Sequence, residues 1–143
     1  MNDIETLKHL VDYGVIALLV IMSFVALFFF IERVIFYKRV DIKTYKTKRA
    51  LEVALTKHLG IIGTIASNAP YIGLLGTVLA IMLTFMNMGN ASDIDAGKIM
   101  ESLALALKVT AVGLVVAILS MVFYNILSRF AEVLESEYEV TEV

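Results

Sequence analysis

The stretch from Leu59 to Ala91 has no charged side chain, and this constrains the fold more than any other feature of the chain. A membrane-spanning helix needs about 20 apolar residues, so this stretch exceeds one straight crossing by about ten residues. Small residues and hydroxyls recur three or four positions apart within it, on one helical face: Gly73, Gly76, Thr77, Ala80 and Thr84. Such a face is typical of helices that pack closely on one another in a membrane. The sequence therefore predicts a membrane protein with a packed helical interior.

Two further segments, Tyr13–Ile31 and Val109–Ser128, also lack charge over a membrane-spanning length. The whole chain is 59% hydrophobic and 18% charged, which is more apolar and less charged than soluble domains. We therefore expect an all-α integral membrane protein with three transmembrane helices.

The basic residues predict the orientation of these helices. Seven of the 12 Lys and Arg residues lie between the first and second spans, so this segment is expected in the cytoplasm. The N-terminus is then outside the cytoplasm and the C-terminus inside. The predicted single domain, residues 1–143, comprises a first span at about 13–37, a cytoplasmic segment at 38–58, a second span with a cytoplasmic extension at about 59–88, a periplasmic loop at 89–98, a third span at about 99–128 and a cytoplasmic tail at 129–143.

Three local features carry predictions of their own. Pro70 lacks a backbone N–H and is expected to bend the second helix. Arg33 follows the charge-free part of the first span and is expected to extend toward the membrane interface. Ser92 or Asp93 is expected to cap the third helix.

Composition excludes several classes of function. The chain has no cysteine, which removes disulfides, thiolate chemistry and most zinc sites, and its two histidines, His9 and His58, lie far apart. A net charge of -2 does not indicate a nucleic-acid partner. The sequence has no nucleophile–base pair, phosphate-binding loop or nucleotide fingerprint. We therefore expect no enzyme activity, no metal and no cofactor.

Thr77 and Thr110 are the candidate functional residues inside the predicted spans. Both lie near small residues on their own helices: Gly73 and Gly76 in the second span, and Ala106 and Gly113 in the third. Threonines in membrane helices often only return a hydrogen bond to the carbonyl one turn back. Two helices that both carry small residues and a hydroxyl also suit a shared polar interior. Periodicity leaves both interpretations open.

Lys108 is the ionisable residue inside the third span, where an uncompensated lysine costs about 2.5 kcal/mol or more. Glu101 lies seven residues earlier on the same helical face, about 10 Å along the axis. A Glu101–Lys108 ion pair would therefore require two subunits, and extension of Lys108 to the outer interface is the alternative. Lys108 points about 160° away from Thr110, so both cannot line one narrow channel.

Two long segments identify a family resemblance. NAPYIGLLGTVLAIMLTF followed by LALALKVTAVGLVVAILSMVFYN resembles the last two spans of the ExbB/TolQ family, which is related more distantly to MotA, and IERVIFYKR fits the end of the first span. The resemblance covers nearly the whole chain and is closest to a short ExbB. Two positions differ from the family pattern: Leu105 replaces a common glutamate, and Leu119 replaces a common proline.

The resemblance implies a proton-channel subunit of the inner membrane of a Gram-negative bacterium, with protons as the coupling ion. Family members form a homopentamer of three-span subunits around a pore that holds the helices of a dimeric ExbD-like partner. The complex energises a TonB-like protein for uptake of iron chelates and vitamin B12. Thr77 and Thr110 match pore-lining threonines, with the proton-accepting aspartate on the partner. The alternatives are a TolQ-like subunit of the Tol-Pal envelope system and a non-conducting scaffold for partner helices.

Overall fold

A computed structural model describes residues 3–90 and 93–142 of the chain, and these residues fold almost entirely as helix. The elements are α1 (Asp3–Arg39), a short 3-10 turn (Ile42–Thr44), α2 (Lys48–Leu55), α3 (Leu59–Asn90) and α4 (Ala96–Glu142). Helices α1, α3 and α4 are each long and apolar enough to cross a membrane. The prediction of an all-α chain with three membrane-type helices is confirmed.

The three long helices extend past the predicted spans. Helix α1 begins at Asp3, ten residues before the predicted span, and α4 runs without a break from Ala96 to Glu142. Helix α3 is also uninterrupted at Pro70, where the sequence predicts a bend. Long membrane-type helices tolerate a proline because neighbouring helices and small backbone adjustments compensate for the missing hydrogen bond.

Helices α1 and α4 run in the same direction, with α3 antiparallel to both. Val15 of α1 and Val109 of α4 both lie where a side chain on Gly76 of α3 would project. Further along the bundle, Tyr37 of α1 lies beside Phe130 of α4. We call the end of the bundle that carries the α3–α4 connection the loop end, and the opposite end the α2 end.

Apolar residues fill the bundle in two clusters. The cluster at the α2 end joins α2 to the long helices through Leu51, Leu55, Leu59, Ile62 and Leu127. The cluster nearer the middle of the bundle consists of Leu19, Ala26, Ile65, Ala69, Val116 and Ala117. The two clusters fix the three long helices side by side and so position the polar residues between them.

Arg33 lies inside the fold at the α2 end, so the prediction that it extends to the interface is wrong. Its side chain is 3% exposed, and Nη1 donates to the carbonyl of Ala54 at 2.8 Å. Glu32 accepts two further hydrogen bonds from the guanidinium, at 2.6 and 2.7 Å. Tyr37 donates to the next carbonyl, that of Leu55, at 2.5 Å. The last carbonyls of a helix lack partners within it, so α1 stabilises α2 by binding its C-terminus.

Asp95 caps the first turn of α4. Its Oδ1 accepts from the backbone N–H of Gly97 at 2.9 Å and from that of Lys98 at 3.4 Å. The sequence predicts Ser92 or Asp93 for this position. Ser92 lies outside the described residues, and Asp93 precedes the helix by too many residues to cap it.

Candidate functional site: a hydroxyl pair between α3 and α4

Helices α3 and α4 touch backbone to backbone at Gly73 and Gly113. A Cβ added to Gly113 would lie 2.7 Å from the Ala69 carbonyl oxygen and 3.0 Å from the Gly73 Cα. A Cβ on Gly73 would lie 3.1 Å from the Val109 carbonyl oxygen and 3.2 Å from the Gly113 Cα. The 2.7 Å distance excludes a Cβ at Gly113 unless the backbone moves, and a Cβ at Gly73 would be tight enough to push α4 away by a few tenths of an ångström.

Gly76 and Ala106 continue the contact toward the loop end. A Cβ on Gly76 would lie 2.9 Å from Val109 Cγ1 and 3.0 Å from Val15 Cγ1, so α1 also packs closely here. Ala106 is fully buried. All four small residues that the sequence predicts for helix packing therefore lie in the interface between the long helices.

The two candidate threonines meet in this interface. The hydroxyl oxygens of Thr77 and Thr110 form a hydrogen bond across the two helices. Thr77 Oγ1 also lies 2.7 Å from the Ala106 carbonyl oxygen and 3.2 Å from the Gly73 carbonyl oxygen. Thr110 Oγ1 lies 3.4 Å from the Gly73 carbonyl oxygen. Thr77 thus bonds both to the carbonyl one turn back in α3 and to groups of α4, so both interpretations that the sequence left open occur in the structure.

This arrangement is a small hydrogen-bond network without charge. Two hydroxyls each donate one proton, and the acceptors are each other and the carbonyls of Gly73 and Ala106. The donors can therefore change partners without leaving any hydroxyl unsatisfied. Thr77 is 6% exposed and Thr110 is half-buried, so the accessible side of the network is the Thr110 side.

Thr84 is a useful contrast on the same face of α3. It is also 6% exposed, but its hydroxyl donates to the carbonyl of Ala80 at 2.9 Å, one turn back in its own helix. Such a bond satisfies a buried hydroxyl without joining two helices. A helical face of small residues and threonine is therefore compatible with a hydrogen bond within the helix or with one to a neighbouring helix. The distance between the packed helices decides which bond forms.

The structure does not join Glu101 to Lys108 within one chain. Both side chains are exposed, and the ion pairs of the described residues do not include this pair. Glu101 instead interacts electrostatically with Lys8 of α1. An ion pair of Lys108 with a second subunit stays a prediction.

Lys8 and Asp12 are buried polar residues that the sequence reasoning missed. Lys8 is 8% exposed and Asp12 is fully buried. Neither carboxylate oxygen of Asp12 has a hydrogen-bond partner among the residues that the structure describes. Both residues precede the apolar segment of α1, and the sequence analysis assigns them no role. The signal was their position: Asp12, Leu19, Ala26 and Arg33 recur every seven residues, and all four are buried.

A polar cavity of about 230 Å³ opens between α1, α3 and α4 at the loop end. Its charged lining residues come from α1, from the connection before α4 and from the first turn of α4: Glu5, Lys8, Asp93, Asp95 and Lys98. Thr84 and Ser102 add hydroxyls. Within residues 3–90 and 93–142 no three His, Asp or Glu side chains cluster as metal ligands.

Comparison with known proteins connects this geometry to a family. Residues 21–140 match the family model described as "MotA/TolQ/ExbB proton channel family". The chain is 52% identical to the biopolymer transport protein ExbB of Helicobacter pylori strain J99 over 134 residues. This match covers 94% of this chain and 92% of that protein.

Two further relatives differ in coverage. The biopolymer transport protein ExbB of Aquifex aeolicus is 52% identical over 125 residues, 87% of this chain and 84% of that protein. The Tol-Pal system protein TolQ of Haemophilus influenzae is 35% identical over 99 residues, 64% of this chain and 43% of that protein. The similarity to these two ExbB proteins is thus higher, and covers more of both chains, than the similarity to this TolQ.

Proposed function

The chain belongs to the MotA/TolQ/ExbB proton channel family, and we propose that it is the proton-channel and scaffold subunit of an ExbB–ExbD-type motor in the inner membrane of a Gram-negative bacterium. In this proposal the proton motive force energises a TonB-like protein for uptake of iron chelates and vitamin B12. High identity over nearly full length to two proteins named ExbB supports this assignment. The family is a channel family and not an enzyme family.

A TolQ-like role in the Tol-Pal system is the second candidate function. The observation in its favour is the 35% identity to a TolQ over 99 residues. That match covers less than half of the TolQ, and its identity is well below the 52% of the Helicobacter pylori and Aquifex aeolicus ExbB proteins. The TonB-type role is therefore our primary proposal.

The hydroxyl pair Thr77–Thr110 is the observation that carries the proposed mechanism. The chain has no carboxylate next to this pair on α3 or α4, since Leu105 replaces the family's glutamate. In this proposal the proton-accepting carboxylate beside the pair is, as the family resemblance implies, an aspartate on the helix of an ExbD-like partner. The half-buried Thr110 hydroxyl donates to that carboxylate when it is ionised and accepts from it when it is protonated. Each charge that crosses gains about 2.3 kcal/mol per 100 mV of membrane potential.

The proposed assembly is a pentamer of this chain around the partner helices. Its long helices expose many large apolar side chains along the bundle, including Phe24, Phe28, Leu75, Leu114 and Ile118. Lipid, further copies of the chain and the partner helices together cover such faces. In this proposal the α2 end lies in the cytoplasm and the loop end in the periplasm, an orientation that the basic 38–57 segment supports.

Valine substitution at the two threonines tests the mechanism, because valine keeps the shape and removes the hydroxyl. We expect Thr77→Val and Thr110→Val each to abolish TonB-dependent vitamin B12 uptake in cells, while the complex still assembles. Thr84→Val is the matched control, since Thr84 is equally buried and bonds only to its own helix. Full uptake in the Thr77→Val and Thr110→Val variants would refute the assigned role and favour a non-conducting scaffold.

Native mass spectrometry of the purified complex tests the assembly and the choice of partner. We expect five copies of this chain with an ExbD-like dimer, and a TonB-like protein in the same preparation. Recovery of TolR- and TolA-type proteins in place of these would support the TolQ-like role. A particle without a partner helix would contradict both.

A further inference from the structure

Asp12 of α1 is a fully buried carboxylate that forms no hydrogen bond with the Thr77–Thr110 network. Its two oxygens have no hydrogen-bond partner among the described residues, although α1 packs against both other long helices around it. A buried ionised carboxylate without hydrogen bonds is strongly disfavoured, whereas its protonated form carries no charge. The site is thus built for a carboxyl group that gains and loses a proton.

The loop-end cavity provides access for that proton. Lys8 lies one helical turn before Asp12 on the same face of α1 and lines the cavity. The cavity volume of about 230 Å³ accommodates several water molecules, and its polar lining suits them. Water in the cavity is therefore separated from Asp12 by about one turn of α1.

The register of the bundle places Asp12 near the threonine network. Val15 and Val109 lie at one height, because both face Gly76. One turn nearer the loop end, Asp12 of α1 and Ala106 of α4 lie at a common height. The Ala106 carbonyl is the acceptor of the 2.7 Å bond from Thr77.

We propose that Asp12 is a proton-binding site within this chain, loaded through the loop-end cavity and located between that cavity and the hydroxyl pair. One proton passes from hydronium in the cavity to a carboxylate oxygen of Asp12, and a water molecule remains. Binding of this proton stands independently of the proposed function, whereas its use in conduction rests on that function.

The charges around Asp12 define how the site responds to pH. Lys8 and His9 of α1 interact with it and favour the ionised form. Glu101 of α4 interacts with Lys8 and so weakens that effect. Helix α3 contributes no charged residue to the surroundings. Protonation therefore changes the charge next to Lys8 by one unit at a point where the three long helices meet.

Infrared difference spectroscopy of the full chain, with an isotope label on aspartate side-chain carboxyls, tests the proposal. The other four aspartates are exposed to solvent: Asp3, Asp41, Asp93 and Asp95. We expect one labelled band of a protonated carboxylic acid at neutral pH, which disappears at alkaline pH. Asp12→Asn is expected to lose the band, and the matched exposed control Asp3→Asn to retain it.

Two further variants keep the test decisive. Asp12→Glu retains a carboxyl group, so we expect the band to leave the isotope-labelled set and persist without the label. Lys8→Gln removes the facing positive charge, so the band is expected to persist to higher pH than in the wild type. A spectrum with no labelled acid at neutral pH would overturn the proposal and identify Asp12 as an ionised partner of Lys8. A labelled band that survives Asp12→Asn would also overturn it, because the protonated acid would then be another aspartate.

Proton flux through the complex of this chain with its ExbD-like partner separates the Asp12 proposal from the proposed function. A wild-type band without any proton flux would support the Asp12 site and refute the channel role. Proton flux without the band would support the channel role and refute the Asp12 site. With both present, we expect Asp12→Asn to reduce the flux at least tenfold and Asp3→Asn to leave it unchanged.

Discussion

Replacing Gly113 with alanine is expected to separate α3 from α4 at their closest point. The new Cβ would lie 2.7 Å from the Ala69 carbonyl oxygen and 3.0 Å from the Gly73 Cα. An ordinary carbon–oxygen contact is about 3.3 Å or longer. Both obstacles are backbone atoms, so no side-chain rotation relieves the clash, and the helices must move apart by about 0.5 Å.

The expected loss of stability follows from two opposing contributions. Overpacking of this kind costs about 1–3 kcal/mol, and the upper end applies because a rigid backbone must move. Alanine favours the helical state over glycine by about 1 kcal/mol. The net expectation for Gly113→Ala is therefore a destabilisation of about 2 kcal/mol, or about 30-fold in the folding equilibrium. The same shift lengthens the 3.4 Å distance from Thr110 Oγ1 to the Gly73 carbonyl to about 3.9 Å, beyond hydrogen-bond range.

Unfolding of the purified chain in detergent, followed by loss of helical circular dichroism, measures this change. Gly14→Ala is the matched control, since a Cβ on Gly14 meets nothing within 4 Å. The control is expected to stabilise the chain by about 0.5–1 kcal/mol through helix propensity alone. The two substitutions thus have opposite expected signs. Equal stability of Gly113→Ala and Gly14→Ala would refute the close approach of α3 and α4.

Three further changes test the α2 end. Arg33→Met removes the donor to the Ala54 carbonyl at the end of α2, and its expected cost is about 1.5–3 kcal/mol of folding stability. The measurement is limited proteolysis, in which we expect residues 40–47 to be cleaved faster than in the wild type. His58 has a φ of 70°, so His58→Ala is expected to be less stable than His58→Gly by about 1 kcal/mol in the unfolding assay. A hydrogen bond to Glu139 raises the pKa of Lys48 above 10.5, so its small stabilisation is complete below pH 10.5 and is lost as pH rises through the raised value. Unfolding of Lys48→Gln against wild type across this pH range measures the loss.

Each of these changes has a result that contradicts it. Unchanged proteolysis in Arg33→Met would mean that α2 is held by its apolar contacts alone. Equal stability of His58→Ala and His58→Gly would mean that the left-handed conformation at His58 carries no strain. A difference between Lys48→Gln and wild type that grows at alkaline pH or in high salt would contradict the assigned ion pair with Glu139.

The contact between α3 and α4 was accessible from the sequence because its residue types leave few alternatives. Glycines and threonines at helical spacing in an apolar segment indicate close helix packing, and the structure brings Gly73, Gly76 and Thr77 to Ala106, Thr110 and Gly113 as that pattern implies. Which threonine bonds to its own helix is a matter of distance between helices. The different partners of Thr77 and Thr84 therefore required the three-dimensional structure.

The buried charges were missed because charged residues at the ends of an apolar segment usually lie in solvent. Asp12 and Arg33 flank the apolar part of α1 and look alike in a hydropathy profile. Their seven-residue spacing with Leu19 and Ala26 was the available signal that all four share the inward face. The carbonyl at the end of α2 that binds Arg33 depends on docking between distant elements, which no local pattern contains.

Proton flux into vesicles that contain the purified chain and its ExbD-like partner, under an imposed membrane potential, tests the role of the hydroxyl pair most directly. The account predicts flux in the wild type and in Thr84→Val, and none above the leak of empty vesicles in the double variant Thr77→Val/Thr110→Val. Wild-type flux in an intact complex of the double variant would contradict it.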